Sequence, residues 1–288
     1  MTLPEFFASN PTYLTVVVAL LGLVVGSFLN VVILRLPVML EREWMRDCHA
    51  LLGTESEGES GDEDHFSLAF PASHCPSCKA PLKAWHNIPV ISFLLLKGRC
   101  ANCDAAIGWR YPAVEMTSAL ASAAIAAYSG WGWPLLAYLV FTWMLLTLAV
   151  IDIDTQLLPD NLTLPLLWAG LLFNLFVGPI PIADAVLGAA AGYLILWGVY
   201  WLFKLATGKE GMGYGDFKLL AALGAWLGWQ SLPIIILVSS LVGAVLGVLI
   251  LWLTKRGRSQ PLPFGPYLAA AGWLSLLFGP ALAEFIAP

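Results

Sequence analysis

The sequence predicts an all-α polytopic membrane protein with about eight transmembrane helices. Hydrophobic residues make up 59% of the 288 residues and charged residues 11%, and the mean hydropathy is +0.79, values outside the range of soluble globular chains. Apolar segments recur at lengths near the roughly 17 to 25 residues that cross the hydrocarbon core. The basic residues fall only in alternate connecting segments, which is the pattern of cytoplasmic loops.

Each predicted span is an apolar run bounded by charged, Pro-rich or Gly-rich sequence. The eight spans are residues 13–34, 113–129, 134–151, 161–178, 183–203, 217–229, 232–253 and 264–286. The second contains Glu115 and the sixth is short, so the alternative count is six or seven. No Lys or Arg precedes Arg35, so we expect the first span to stay in the mature protein and not to be a cleaved signal peptide.

The distribution of Lys and Arg predicts the orientation. With the N-terminus outside, the inner segments are residues 35–112, 152–160, 204–216 and 254–263, and these segments with their helix borders hold all 14 Lys and Arg. The chain then divides into a first transmembrane helix (1–34), a cytoplasmic domain (35–112) and a transmembrane core (113–288). No basic patch suggests a nucleic-acid partner.

Glycines at four-residue spacing recur on the predicted spans and indicate close helix packing. The pairs are Gly22/Gly26, Gly188/Gly192, Gly224/Gly228 and Gly243/Gly247. A compact bundle of this kind fits a structural protein or a transporter as well as an enzyme.

Two Cys-x-x-Cys pairs stand in the inner segment 35–112, with 21 residues between them. The pairs are Cys75/Cys78 and Cys100/Cys103, and four thiolates at this spacing predict one tetrahedral structural zinc site. Two disulfides are the alternative, which a reducing cytoplasm disfavours. A site filled by four sulfurs has no position for an activated water, so the predicted role of the metal is to fold the loop domain.

An acidic stretch, residues 55–64, precedes the cysteines. The charged sequence from Glu41 to Asp64 predicts a solvated flexible linker, because it cannot bury enough apolar surface to become ordered. The alternative is a docking patch for a basic peptide.

Two groups of aspartates lie at the ends of apolar runs on the same predicted side of the membrane. Asp216 follows two glycines in Gly213-Tyr214-Gly215-Asp216, and Asp152, Asp154 and Asp160 follow the third span. Carboxylates at membrane depth are candidates for function by default. Two carboxylates at bonding distance share a proton, so one acts as base on a water and the other protonates a carbonyl, which is aspartic protease chemistry.

The competing interpretation gives these aspartates structural roles. Each could cap a helix or pair with Lys204, Lys209 or Lys218, and the residues alone make protease and structural roles about equally strong. Asp154 lies about 200° round a helix from Asp152, so we expect it to face away from the pair. We expect Asp160 to be the N-cap of the next span.

The motifs resemble those of one family. Gly213 to Asp216 fits the Gly-x-Gly-Asp motif of intramembrane-type aspartyl proteases, and segment 152–160 resembles the partner motif of the type IV prepilin peptidases, which are bifunctional leader peptidases and N-methyltransferases. The resemblance continues through segment 26–37, the four cysteines and segment 110–115, and it covers nearly the whole chain.

The resemblance implies that Asp152 and Asp216 are the catalytic pair within an aspartyl peptidase core, residues 113–288. It further implies that the enzyme lies in the bacterial inner membrane and cuts the basic leader from type IV prepilins and pseudopilins on the cytoplasmic side. S-adenosylmethionine would then methylate the new N-terminal residue, usually Phe. No glycine-rich fingerprint for that cofactor occurs, so no binding residue is assigned.

Other functions remain open. A transporter, or a scaffold for pilus or secretion assembly, could use the same two aspartates to bind ions or protons. A narrower alternative is a family member that lacks the methyltransferase activity.

Overall fold

The computed structural model describes residues 2–53, 66–82, 85, 88–254 and 263–286. The described residues are helical with short loops, and they contain no strand beyond two isolated bridges, His74 with Pro81 and Arg99 with Ala106. The chain divides into two compact units, Met1–Ala127 and Tyr128–Pro288. The acidic stretch 55–64 lies outside the described residues.

Ten α-helices form along the described chain. The first four are α1 (Leu3–Ser9), α2 (Pro11–Leu52), α3 (Ile91–Leu95) and α4 (Arg110–Ser129). The other six are α5 (Trp133–Thr155), α6 (Asp160–Phe176), α7 (Ile182–Thr207), α8 (Tyr214–Leu227), α9 (Leu232–Thr254) and α10 (Gly265–Ile286). The predicted all-α fold is therefore confirmed.

Among the described residues, four helices are long and apolar enough to cross a membrane. They lie at Pro11–Leu52, Trp133–Thr155, Ile182–Thr207 and Trp229–Leu249. Helices also form at the other four predicted positions, although α6 has 17 residues and α8 has 14. The count of eight spans stays a prediction.

Helix α2 corrects the predicted linker. Residues 41–52, expected to be flexible, continue the first helix, which runs for 42 residues through Pro37 and ends at Leu52. A proline removes only one hydrogen bond from a helix that neighbouring turns support, and Glu, Arg, Met and Leu after it favour helix. Gly53, at φ 63°, donates its N–H to the His49 carbonyl in a left-handed cap.

Within unit Met1–Ala127, α2 and α4 approach closely at two of the predicted glycines. A β-carbon at Gly22 would lie 2.6 Å from Ser122 Oγ, and one at Gly26 would lie 2.8 Å from Glu115 Cα. Ser118 Oγ donates to the Gly22 carbonyl at 2.7 Å. The small residues thus let the two backbones meet, as expected.

The loop before the cysteines is attached to α2 through two arginines. The Arg35 guanidinium donates to the carbonyl of Ser67 at 2.9 Å and to that of Pro71 at 2.7 Å. Phe66 lies under both Arg35 and Arg42, at 5.7 and 4.5 Å from its ring centre. Cation–π contacts and charged hydrogen bonds therefore fix the start of the loop.

Within unit Tyr128–Pro288, helix α8 is the centre. Eleven of its 14 residues are buried. A β-carbon at Gly192 would lie 2.6 Å from the Leu220 carbonyl oxygen, and Gly188 contacts the backbone of Gly224. This close packing of α7 on α8 confirms the prediction for Gly188, Gly192 and Gly224 and encloses the helix that carries Asp216. Gly228 instead ends α8 as its C-cap.

Candidate active site and metal centre

Asp152 lies in the last turn of α5. The helix ends because Gln156 takes a left-handed conformation, φ 55°, and its N–H returns to the Asp152 carbonyl at 2.9 Å. The Asp152 side chain is buried, with 5% of its surface exposed. Its Oδ2 accepts a 2.9 Å hydrogen bond from the backbone N–H of Gly265, at the start of α10.

Asp216 lies in the first turn of α8 and is also buried, at 7% exposed. Gly213, not Asp216, is the N-cap of this helix. A β-carbon at Gly213 would lie 3.9 Å from Asp216 Oδ2, so the carboxylate stays beside the start of the helix. Its Oδ1 is buried and has no hydrogen-bond partner among the described residues. An unsatisfied buried oxygen is costly, so one carboxylate oxygen here is kept available.

The backbone segments that hold the two aspartates pack on one side chain, because Leu158 contacts both Gly215, next to Asp216, and Gly265, the hydrogen-bond donor to Asp152. Helices α5 and α8 thus bring together two aspartates that are 64 positions apart in the sequence. Both are in the unit Tyr128–Pro288. A pair of buried carboxylates of this kind can share a proton.

Leu158 packs between the two backbone segments that hold the aspartates. It is buried, at 7% exposed. A β-carbon at Gly215 would lie 2.6 Å from Leu158 Cβ, and a β-carbon at Gly265 would lie 3.2 Å from Leu158 Cδ1 and 2.7 Å from Asp152 Oδ2. Only glycine fits at either position without a shift of the neighbours, so Leu158 fixes the spacing of the site.

The neighbouring aspartates are placed differently. Asp154 is exposed, which confirms that it faces away from the pair. The expectation that Asp160 is an N-cap is wrong, because the N-cap is Pro159 and Asp160 is the first residue of α6. Asp160 instead binds Lys218 Nζ through both oxygens, at 2.6 and 2.7 Å.

Two of the lysines considered as partners for Asp152 and Asp216 are bound elsewhere. Lys218 pairs with Asp160, and Lys204 Nζ lies 2.8 Å from Glu210 Oε1. The hydrogen bond from Lys204 lowers the pKa of Glu210. The structure therefore does not support an ion-pair role for Asp152 or Asp216 with these two lysines.

The four predicted cysteines form one cluster in the unit Met1–Ala127. Their sulfur atoms all lie within 4.8 Å of one another, and Cys75 and Cys103 Sγ are 3.9 Å apart. Tetrahedral zinc with bonds of about 2.3 Å separates its sulfurs by about 3.8 Å. The cysteines are not joined by disulfides, so the donor set fits a tetrahedral metal ion.

The two cysteine pairs have the same local fold. The N–H of Lys79 bonds to the Cys75 carbonyl and that of Asp104 to the Cys100 carbonyl, and both residues have left-handed φ, 59° and 54°. This turn directs both sulfurs of a pair to the same side.

Asn102 supports the sulfur cluster. Its side chain donates to Cys78 Sγ at 3.5 Å, and its backbone N–H donates to Cys100 Sγ at 3.5 Å. The first bond, together with one from the Ala80 backbone, lowers the pKa of the Cys78 thiol to about 6. Donors that stabilise a thiolate favour metal binding.

Sequence reasoning missed Gly265 and Leu158. Leu158 lies within segment 152–160, but its position two residues before Asp160 does not indicate a contact with Gly215. Gly265 precedes Pro266 at the start of an apolar run, a pattern typical of a helix start. Neither pattern indicates a partner far away in sequence.

Comparison with known proteins identifies the family. The family "Bacterial Peptidase A24 N-terminal domain" matches residues 20–129, and the "Type IV leader peptidase family" matches residues 139–248, which include Asp152 and Asp216. A protein of Aeromonas salmonicida (strain A449) is 56% identical over 268 residues, 93% of this chain and 92% of the relative. The chain belongs to the type IV leader peptidase family.

Other members of the type IV leader peptidase family are similar over nearly their whole length. Relatives from Stutzerimonas stutzeri and Pseudomonas aeruginosa are each 53% identical over 279 residues, 97% of this chain and 96% and 95% of the relatives. These two and the Aeromonas protein are named prepilin leader peptidase/N-methyltransferase. No solved structure matches the chain.

Proposed function

We propose that this member of the type IV leader peptidase family is a membrane aspartyl endopeptidase that removes the leader from type IV prepilins and pseudopilins. It then N-methylates the new N-terminal residue with S-adenosylmethionine. The observation that carries the peptidase is the buried pair Asp152 and Asp216, held by two helices, with one oxygen, Asp216 Oδ1, that has no partner in the described part of the chain. The names of the relatives supply the substrate and the second activity.

The pair acts as an acid and a base on one water. A backbone N–H donor favours the ionised form of the carboxylate that it binds, and Asp152 Oδ2 has this donor in Gly265, whereas Asp216 Oδ1 has no partner among the described residues. We therefore assign the ionised, water-activating role to Asp152 and the proton to Asp216 at the start of the cycle. The water oxygen bonds to the scissile carbonyl carbon while Asp152 takes its proton and Asp216 protonates the carbonyl oxygen. Asp152 then gives this proton to the peptide nitrogen while Asp216 takes a proton from a hydroxyl of the tetrahedral intermediate, and the C–N bond breaks to leave a carboxylic acid and a free amine.

The cysteine cluster is proposed to hold structural zinc. Cys75, Cys78, Cys100 and Cys103 supply all four ligands, so the metal would fold the loop and take no part in hydrolysis. S-adenosylmethionine, when bound, would supply a methyl group to the new N-terminal amine. No residue is assigned to that cofactor.

The proposed setting is the bacterial inner membrane, with eight spans and the dyad at the cytoplasmic side. Supporting this orientation, all 14 Lys and Arg fall in the proposed inner segments and their borders. Water can reach a dyad at such a rim.

A reconstitution experiment tests both activities. The purified protein is incubated with a full-length prepilin, with and without S-adenosylmethionine, and the products are weighed by mass spectrometry. We expect loss of the leader in both samples and one added methyl group only when the cofactor is present. If the prepilin stays intact, the chain is better explained as a transporter or scaffold with ion- or proton-binding aspartates.

A further inference from the structure

A groove of about 430 Å³ lies between α7 and α9 in the unit Tyr128–Pro288. None of the described residues that line it is charged, and its side-chain hydroxyls come from Ser240 and Tyr267. The volume is within the roughly 300 to 1,000 Å³ of ligand-binding clefts. The groove is thus large enough for several apolar side chains.

The groove opens sideways. Val199 on one wall is 52% exposed, and Ser240 and Ala244 on the other wall are exposed small residues one helical turn apart. Both α7 and α9 contain candidate membrane spans. The opening between them therefore faces hydrocarbon, where an occupant must be apolar and must satisfy its own backbone hydrogen bonds.

One end of the groove adjoins the dyad. Met212 lines it and is followed directly by Gly213, the N-cap of the helix that carries Asp216. Phe264 lines it as well and is followed by Gly265, the hydrogen-bond donor to Asp152. The two backbone segments that hold the aspartates therefore also form this end of the groove.

We infer that the groove binds the apolar helical segment of the peptide substrate that adjoins the scissile bond. This inference rests on the proposed peptidase function. The substrate chain must extend away from the dyad along some surface of the enzyme. The groove begins at Met212 and Phe264, which directly precede Gly213 and Gly265 in the two backbone segments that hold the aspartates. Ser240 and Ala244 share one face of α9 and let a second helix approach closely.

A lipid acyl chain is the other possible occupant, and the continuity of the groove with the dyad favours the peptide. A lipid needs no link to the aspartates and would contact any exposed apolar face. A bound substrate segment would contact the residues that line the groove and would not contact the other faces of α9. This difference separates the two occupants experimentally.

The first experiment fills the groove. Ala244→Phe is compared with Leu241→Phe, since Leu241 is on the same helix, is 61% exposed and does not line the groove. We expect Ala244→Phe to raise the KM for a membrane-inserted peptide substrate about tenfold with little change in kcat, and Leu241→Phe to leave both constants near those of the unaltered protein. Equal kinetics for all three proteins would overturn the inference while leaving the peptidase intact.

The second experiment does not depend on turnover. A photoreactive benzoylphenylalanine is placed at position 244 or 241 in the Asp152→Asn protein, which is then illuminated with the peptide in lipid vesicles. We expect position 244 to crosslink to the apolar segment of the peptide and position 241 to crosslink mainly to lipid. Crosslinks to lipid alone from both positions, or to the peptide equally from both, contradict the groove assignment. Absence of cleavage by the unaltered protein would instead contradict the proposed function.

Discussion

Gly265 donates its backbone N–H to Asp152 Oδ2 at 2.9 Å, although the two residues are 113 positions apart. The bond joins the start of α10 to the end of α5. It gives one buried carboxylate a fixed orientation, whereas Oδ1 of the other has no partner among the described residues. The two aspartates are therefore placed in different environments, as a pair with different roles requires.

Replacing Gly265 with Ala should disturb that bond. The new β-carbon would lie 2.7 Å from Asp152 Oδ2, so the carboxylate must move. We expect kcat for leader cleavage to fall at least about tenfold, because catalysis depends on placement within fractions of an ångström. Gly198→Ala in α7, where a β-carbon meets nothing within 4 Å, is the matched control. Equal rates for the two variants would show that the hydrogen bond is dispensable.

Truncating Leu158 should loosen the packing around the two aspartates. Leu158→Ala removes the side chain that packs on Gly215 and Gly265, and such a core truncation costs about 2 to 5 kcal/mol in stability. We expect a lower kcat as well as a lower melting temperature. Leu158→Met, which nearly conserves volume, should restore both. A normal kcat in folded Leu158→Ala would assign Leu158 to stability alone.

The dyad itself is tested by isosteric substitution. Asn keeps the shape of Asp but cannot relay a proton, so Asp152→Asn and Asp216→Asn should each abolish cleavage while the protein still folds in the membrane. Exposed Asp154 and lysine-bound Asp160 serve as controls, and their Asn variants should keep most of the activity. The pH–rate profile of the unaltered protein should be bell-shaped, with limbs that belong to the coupled pair. Normal processing by either dyad variant would contradict the peptidase assignment.

The proposed zinc site predicts that removal of one cysteine lowers the metal content of the protein. Cys75→Ser removes one of four sulfurs that lie within 4.8 Å of each other, so zinc content measured by elemental analysis should fall and the loop should be cleaved more readily by proteases. Cys48→Ser, at an exposed free cysteine outside the cluster, is the control. Disulfides instead of stoichiometric zinc in protein purified without chelator would contradict the site.

The sequence predicts the local features of this protein well. Apolar runs, cysteine spacing and the Gly-x-Gly-Asp motif are all short-range patterns, and the helices and the sulfur cluster follow from them. The contacts around the aspartates are long-range. Gly265 donates to Asp152 across 113 positions and Asp160 pairs with Lys218 across 58, and a local pattern typical of a helix start gives no information on such a partner.

The extent of α2 was mispredicted for a related reason. Hydropathy marks where the apolar surface ends, near Leu34, but the backbone hydrogen bonds of a helix continue for as long as its residues favour them. Charge and proline after Arg35 indicated an aqueous loop. The residues after Arg35 are polar enough for an aqueous segment, yet they remain helical up to Leu52.

Because α2 is unbroken, the rotation of its side chains about the helix axis decides which of them can hold the start of the cysteine loop. Arg35 and Arg42 are seven residues apart, close to two full turns, so they share the face of α2 that holds Phe66. One residue inserted between them would rotate Arg42 by about 100° away from Arg35 and separate the two contacts with Phe66. The loop is thus attached to one face of α2, and the number of residues between the two arginines determines whether both lie on that face.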